Sequence, residues 1–356
     1  MVNFFQKRFK IGKKNVGENS PSLVIAEISA NHNGNFRLFK RLIKAAKKSG
    51  ADLVKIQTYT ANSLTINSNK NDFLIKKDNP WGKKKYLWNL YKKAQTSNEL
   101  NTKIFQYARS IGIEIFSSPF DINAVNTLKK LNCPAYKIAS AEINHIPLIE
   151  KVAETKKPII LSLGLAKIED IKLALETIRR KKNNKVILLQ CVSSYPAPIS
   201  EQNLKSIKYI KKKFGTICGL SDHTKGYIAP IVAVAMGAKV IEKHFNINNN
   251  KSVDSFFSTN QNDFKKMIGN IRLSEKSFGD GKFKISKSSK LNFHSRRSIY
   301  VSKNIKKNEL ITKDNVKIVR PHYGLHPKFY KFILNKRSKV NLKIGDRFRL
   351  KYVKKK

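Results

Sequence analysis

The stretch VIEKHF, Val240 to Phe245, opens on two β-branched residues and ends in charged and imidazole side chains. Residues two apart on a strand point the same way, so Glu242 and His244 project together from one face. Seven other short β-branched runs share this design. They are LVIAEIS from Leu23, LVKIQT from Leu53, IEIFSSP from Ile113, AYKIAS from Ala135, PIILSLG from Pro158, VILLQC from Val186 and TICGLSDH from Thr216. Most begin 22 to 30 residues apart, the length of a strand-loop-helix unit. The segments between them read as amphipathic helices. FRLFKRLIKAAKKSG, for example, sets Leu38, Leu42, Ala45 and Ala46 on one stripe and stops at Gly50. Eight such units predict an α/β fold, a (β/α)8 TIM barrel. An open doubly wound sheet is the alternative, but no GxGxxG follows the first strand.

Each run carries polar groups at its C-terminal end, where such barrels build their active sites. The first ends in Glu27, Ser29 and Asn31, the second in Lys55 and Gln57, the third in Ser117 and Ser118. The fourth gives Lys137, Ser140 and Glu142, the fifth Ser162, and the sixth Ser193 and Tyr195. Ser221 and His223 end the seventh. Polar groups within apolar strands are costly to bury unless they pair or serve a site. Lys55 and Lys137, with hydroxyls from Ser118, Ser140, Ser162 and Ser221, suit a phosphate or carboxylate anion. A Schiff-base lysine stays open as another use of either ammonium. His223 and His244, on neighbouring strand ends, can share one divalent metal with water and substrate completing its shell. Glu27 and Glu142 are the acid/base candidates, and Asp222 is assigned a supporting place behind His223. About 60 residues separate the second and third runs, an insertion with a polar stretch at 67–85. It is read as a lid, a dimer contact or a passive surface loop.

Length and composition bound the rest. The 356 residues divide into a basic N-terminal extension (1–20), the barrel (21–280), a linker (281–293) and a small C-terminal domain (294–356) ending in a frayed basic tail. Net charge is +48, but 59 of the 72 basic residues are lysine and they are spread along the chain. Clustered arginine with aromatics is missing, which weighs against nucleic acid as a partner and favours compositional bias. No apolar run reaches the ~20 residues of a membrane span, and no signal-peptide core appears. Cys133, Cys191 and Cys218 form no CxxC pair, so a reducing cytoplasm is expected.

The motifs AEISANHNG, VKIQTYT, SSPFD, AYKIASAEI, SYPAP, GLSDHT and IEKHF, in this order, resemble the bacterial sialic acid (nonulosonate) synthases. SRRSIYV and the following GL.P…G resemble their C-terminal antifreeze-like (SAF) domain, so the likeness spans roughly residues 20 to 350. KIQTYTANSLTI, WG…LWNLYKKAQT and DSFFS look most like the pseudaminic acid branch. The resemblance implies a metal-dependent (Mn2+ or Mg2+) condensation of phosphoenolpyruvate with 2,4-diacetamido-2,4,6-trideoxy-altrose and water. The products are pseudaminic acid and phosphate. It implies His223 and His244 as metal ligands, with Lys55, Ser118, Lys137, Ser140, Ser162, Ser193 and Ser221 holding phosphoenolpyruvate. Gln57, Tyr195 and Asp254 would contact the sugar, and Glu27 and Glu142 would handle protons. A domain-swapped homodimer would bring Arg296 or Arg297 to the partner's site. The chain departs from the pattern at Ser252-Val253-Asp254, where Gly-Pro-Asp is expected, and at Arg320-Pro321-His322-Tyr323-Gly324-Leu325. Alternatives are a synthase of N-acetylneuraminate or legionaminate and, in a different class, an inactive binder of anionic sugars or polyanions.

Overall fold

The computed structural model describes residues 4–76, 79–82 and 86–354. The first residues of the N-terminal extension, part of the 67–85 stretch and the end of the basic tail lie outside them. The chain divides into two compact units, Met1–Gly279 and Asp280–Lys356.

The first unit opens with an antiparallel hairpin of β1 (Arg8–Ile11) and β2 (Lys14–Gly17). Eight strands follow: β3 (Leu23–Glu27), β4 (Leu53–Thr58), β5 (Glu114–Pro119), β6 (Tyr136–Ile138), β7 (Ile159–Ser162), β8 (Val186–Cys191), β9 (Ile217–Asp222) and β10 (Val240–His244). They close into one parallel barrel in chain order, with β10 pairing back onto β3. All eight are the runs identified from sequence. Their continuous burial fits strands covered by helices on one side and packed inside on the other.

Helix starts follow local chemistry. Asn35, Ser97, Asp121 and Asn260 each cap a helix by accepting the backbone N–H three residues on. The helix Phe36–Lys48 buries Phe39, Leu42, Ile43 and Ala46. Leu38 and Ala45, expected on its stripe, flank the contact instead. The i, i+3, i+4, i+7 set centred on Phe39 matches the helical period more closely.

The basic N-terminal extension is folded: Phe5, Phe9, Ile11 and Val16 are buried and join the barrel core. In β1 alternation puts Arg8 and Lys10 on one face and Phe9 and Ile11 on the other. The hairpin sits at the N-terminal end of the barrel, where Gln6 N donates to Asn184 O at 2.9 Å and Lys13 N to Glu114 Oε1 at 2.9 Å. The segment read as a linker contains a short helix, Lys287–Leu291, started by Ser286, whose hydroxyl accepts from Ser289 N.

The second unit has its own core of Ile299, Val301, Ile305, Ile311, Val316, Ile333, Leu342, Phe348 and Val353. β11 (Ser298–Val301) pairs antiparallel with β12 (Val316–Val319), a strand the sequence pattern did not reveal. The GLHP and IGDRFRLKYV segments contribute single bridges rather than strands. Gly324 is required by close approach, since a Cβ there would lie 2.2 Å from Ile299 O.

Candidate active site

The site follows from strand register. Pairing of β10 with β3 sets His244 level with Glu27, and pairing with β9 sets Glu242 level with Ser221. Inside the C-terminal rim, Lys55 Nζ lies 2.5 Å from Glu27 Oε2, 3.4 Å from Glu242 Oε1 and 3.2 Å from Ser118 Oγ. Ser221 Oγ donates to Glu242 Oε1 at 3.0 Å. All these groups are buried.

Two carboxylates therefore share one ammonium, and their affinities for a proton separate. Burial, helped by the Glu242 charge, pushes Glu27 up to about 7 despite Lys55. Burial acts on Glu242 too, but Lys55, Lys137 and the Ser221 hydroxyl outweigh it and hold this carboxyl below its usual range. For Lys55, burial is outweighed by the two carboxylates, so it keeps its proton tightly. Lys137 Nζ donates to Ser162 Oγ at 2.6 Å and to Ile138 O at 3.0 Å. Burial pulls its pKa down.

Beside Lys137 the loops after β6, β7 and β8 converge. Ser140 Oγ accepts from Leu165 N at 2.9 Å, whereas the buried Ser193 Oγ has no partner among the described residues. Gly164 lies between them. A Cβ there would sit 2.4 Å from Ser193 Oγ and 3.0 Å from Ser140 Oγ. The glycine leaves an open cradle of hydroxyls and backbone next to a buried ammonium, an arrangement suited to anionic oxygens.

His223 and His244 meet on the adjacent rims of β9 and β10, ring centroids 5.4 Å apart. Nδ1–H of His223 donates to Val192 O at 2.8 Å, which leaves Nε2 as the lone-pair nitrogen. Nδ1 of His244 is buried with no partner. Burial lowers both pKa values, His244 well below the usual range, so both rings are neutral and able to coordinate. Among the described residues no third His, Cys, Asp or Glu completes a metal cluster.

Asp222 does not stand behind His223. It pairs with Lys243, at 2.5 Å, and accepts from Thr224 N at 2.9 Å. Lys243 also donates to Thr224 O at 2.8 Å. This buried pair lies on the outer faces of β9 and β10, one residue before each histidine, and ties the two strand ends together.

Over the rim lies a cavity of about 230 Å³. Gln57, Tyr195, His244 and Asp254 line it, together with residues of the long β4–β5 insertion. The insertion is thus a wall of the cavity rather than a passive loop. Trp81 packs 5.1 Å from Tyr195 and donates its indole N–H to Asp254 Oδ1 at 3.0 Å. Asp254 Oδ2 accepts from Ser29 Oγ and, at 3.1 Å, from Ala30 N. Both Asp254 oxygens are therefore engaged in fastening the insertion to the barrel.

Of the residues singled out from sequence, Glu27, Lys55, Ser118 and Ser221 form one network, with Lys137 and Ser162 in contact beside it. Ser140 and Ser193 flank Gly164. Glu142 is half-buried with Oε2 unpaired; burial raises its pKa and the Lys137 charge opposes the rise. Arg296 and Arg297 belong to the second unit and are exposed. Gly164, Trp81 and the partnership of Glu242 with Lys55 were not anticipated. Only Glu242 had a signal, its two-residue spacing from His244.

Barrels of this kind carry their catalysis at this same end, and the chain is an enzyme of the (β/α)8 class. A model of the NeuB family matches residues 42–283, and one of the SAF domain matches residues 296–351. The pseudaminic acid synthase of Campylobacter jejuni is 46% identical over 324 residues, 91% of this chain and 94% of that protein. The N,N'-diacetyllegionaminic acid synthase of the same species is 35% identical over 333 residues, covering 92% and 99%. A crystal structure of N-acetylneuraminic acid (sialic acid) synthetase from Leptospira borgpetersenii superposes with a TM-score of 0.71 at 30% identity, over 80% of this chain and 94% of that one. The chain belongs to the NeuB family.

Proposed function

We propose that the protein condenses phosphoenolpyruvate with 2,4-diacetamido-2,4,6-trideoxy-altrose and water, giving pseudaminic acid and phosphate. The observation that carries this reading is the juxtaposition, on one barrel rim, of a buried lysine-and-serine anion cradle with a pair of neutral imidazoles. The 46% identity to a pseudaminic acid synthase, against 35% to a legionaminic one, supports the branch.

In this reading Lys55, Lys137, Ser118, Ser140, Ser162, Ser193 and Ser221 hold the phosphate and carboxylate of phosphoenolpyruvate, and the opening at Gly164 admits them. C3 of the enol attacks the aldehyde carbon and the new alkoxide takes up a proton. Water adds at C2, losing one proton. The C–O bond to phosphate then breaks as the C2 hydroxyl becomes the ketone and passes its proton to the departing phosphate. Glu27 and Glu142, the carboxyls whose pKa burial raises, supply the proton and receive the one water gives up. In this reading the ionised Glu242 stabilises the positive charge that develops at C2. His223 and His244 would hold a divalent cation, Mn2+ or Mg2+; the unpartnered Nδ1 of His244 and the free Nε2 of His223 fit such an ion, with water and substrate as its other ligands. Bound there, the ion supplies Lewis-acid polarisation of the aldehyde. Gln57, Tyr195 and Asp254 line the space for the sugar. In a domain-swapped homodimer the exposed Arg296 or Arg297 would reach the partner's sugar. Three free cysteines and the absence, among the described residues, of any helix able to cross a membrane accord with work in the cytoplasm.

The test is phosphate release from phosphoenolpyruvate with Mn2+ and three sugars in parallel: the altrose sugar, the diacetamido precursor of legionaminic acid, and N-acetylmannosamine. Release with the altrose sugar, abolished by EDTA, is expected. Preference for another sugar moves the branch, and no release from folded, metal-loaded protein with any sugar overturns the synthase reading.

A further inference from the structure

We propose that the β4–β5 insertion forms the apolar half of the sugar subsite and selects a deoxy, doubly N-acetylated sugar over a hydroxylated one. This rests on the synthase reading above and names what sets its substrate preference. Leu87, Leu90, Tyr91 and Ala94 occupy positions i, i+3, i+4 and i+7 of the helix Leu87–Ala94, so they form one stripe, and all four line the cavity. Ala94 is buried, while the other three remain half-buried and face open space. Trp81 extends the same wall. Its ring lies 5.9 Å from Phe256 and 6.1 Å from Phe257, and its N–H is spent on Asp254. Docking is secured separately: Ala94 and Tyr91 pack with Ala30, Tyr59, Phe120 and Val253 in a cluster apart from the barrel core.

The cavity therefore has two chemically distinct sides. Gln57, Ser29 and His244 on the barrel side are polar, beside the apolar Phe257; on the insertion Leu87, Leu90 and Trp81 present carbon, with Asn79 and the Tyr91 hydroxyl as its polar members. An open-chain sugar must put its aldehyde at the imidazoles, where the anion cradle adjoins. Its far end then meets the stripe. A trideoxy diacetamido sugar presents methyl groups there, which gain from leaving water. A primary hydroxyl, as in N-acetylmannosamine, would lose its water against Leu87 and Leu90, whose side chains offer it no hydrogen bond. Discrimination by one methyl in an apolar pocket runs to about 10- to 200-fold.

The experiment compares wild type with Leu87→Gln/Leu90→Gln, which keeps length and helix preference while making the stripe polar. In the phosphate-release assay, kcat/KM for the altrose sugar is expected to fall about tenfold or more, with KM for phosphoenolpyruvate unchanged and the advantage over N-acetylmannosamine narrowed. Equal losses for every sugar, a raised KM for phosphoenolpyruvate, or no change at all would overturn the assignment. Thermal melting followed by circular dichroism confirms that the variant is folded. A second readout does not need turnover. The chain's two tryptophans, Trp81 and Trp88, both lie in the insertion, so a Trp88→Phe protein reports from Trp81 alone. Titrating the altrose sugar with phosphoenolpyruvate and EDTA present should give a saturable fluorescence change, weakened by the glutamine pair. If wild type releases no phosphate, the synthase reading falls. This inference then stands on the fluorescence titration, and a flat titration overturns it too.

Discussion

At the N-terminal end of the barrel Asp52 accepts from Val24 N at 3.0 Å, Arg272 Nη2 at 2.9 Å and Lys14 Nζ at 3.2 Å. Arg272 also donates to Ser22 O at 2.8 Å and to Glu275 Oε2 at 3.0 Å, and Glu275 Oε1 accepts from Ser22 N. Asp52, Arg272 and Glu275 each have two or more partners there. At the C-terminal end Ser193 Oγ, Glu142 Oε2, Glu242 Oε2 and His244 Nδ1 are buried with none among the described residues. Such orphaned groups cost stability. Their gathering at one rim marks where the molecule holds polar groups ready for a ligand, while the other end closes the seam between the first strand and the last helix of the first unit. Stability and readiness for chemistry are built from the same residue types, separated by the length of a strand.

Three substitutions sharpen that contrast. The largest effect is expected from Glu27→Gln, which should cut phosphate release by roughly 10²- to 10⁴-fold. It also bears on stability. Glu27 titrates near 7 in the fold against an ordinary 4.5, so the folded protein keeps a proton that the unfolded chain has lost. Its stabilising contribution is full below about 4.5 and disappears as pH rises through about 7. Melting temperatures at pH 5 and pH 8 should therefore fall less in Glu27→Gln than in wild type. An identical fall in both would place the proton elsewhere. Gly164→Ala comes next. Its Cβ would press on Ser193 Oγ, and kcat/KM for phosphoenolpyruvate should drop about 100-fold, as for a misplaced binding group. Unchanged kinetics would show that the cradle is not used. The smallest effect is expected at the other end, where Arg272→Ala should cost about 1–2 kcal/mol in urea unfolding and leave kcat and both KM values as they were. A kinetic change there would break the division between the two ends.

The barrel was legible because its eight strands repeat a two-residue alternation that ends in polar groups. Lys55, Lys137, His223 and His244 could be placed at one rim from that repeat alone. What escaped depended on partners far apart in sequence. Asp222 could not be matched to Lys243, 21 residues on, without the register of β9 against β10. Gly164 carries no local signal, because its meaning lies in the approach of Ser193. The hairpin was disguised by its lysines, since the buried Phe9 and Ile11 occupy only alternate positions. The aim of the insertion, with its Leu87, Leu90, Tyr91 and Ala94 stripe, depended on a cavity that no periodicity describes.

That hairpin has a consequence for how the chain comes off the ribosome. Its neighbours are Asp52, Glu114, Asn184 and Gly215, and the last two are made well over 150 residues after the hairpin itself. A segment made before the barrel is thus among the last able to find its place. Phe5, Phe9 and Ile11 must wait, uncovered, until most of the barrel exists. Arg8, Lys10 and Lys13, exposed in the folded hairpin, keep that waiting segment charged and in solution.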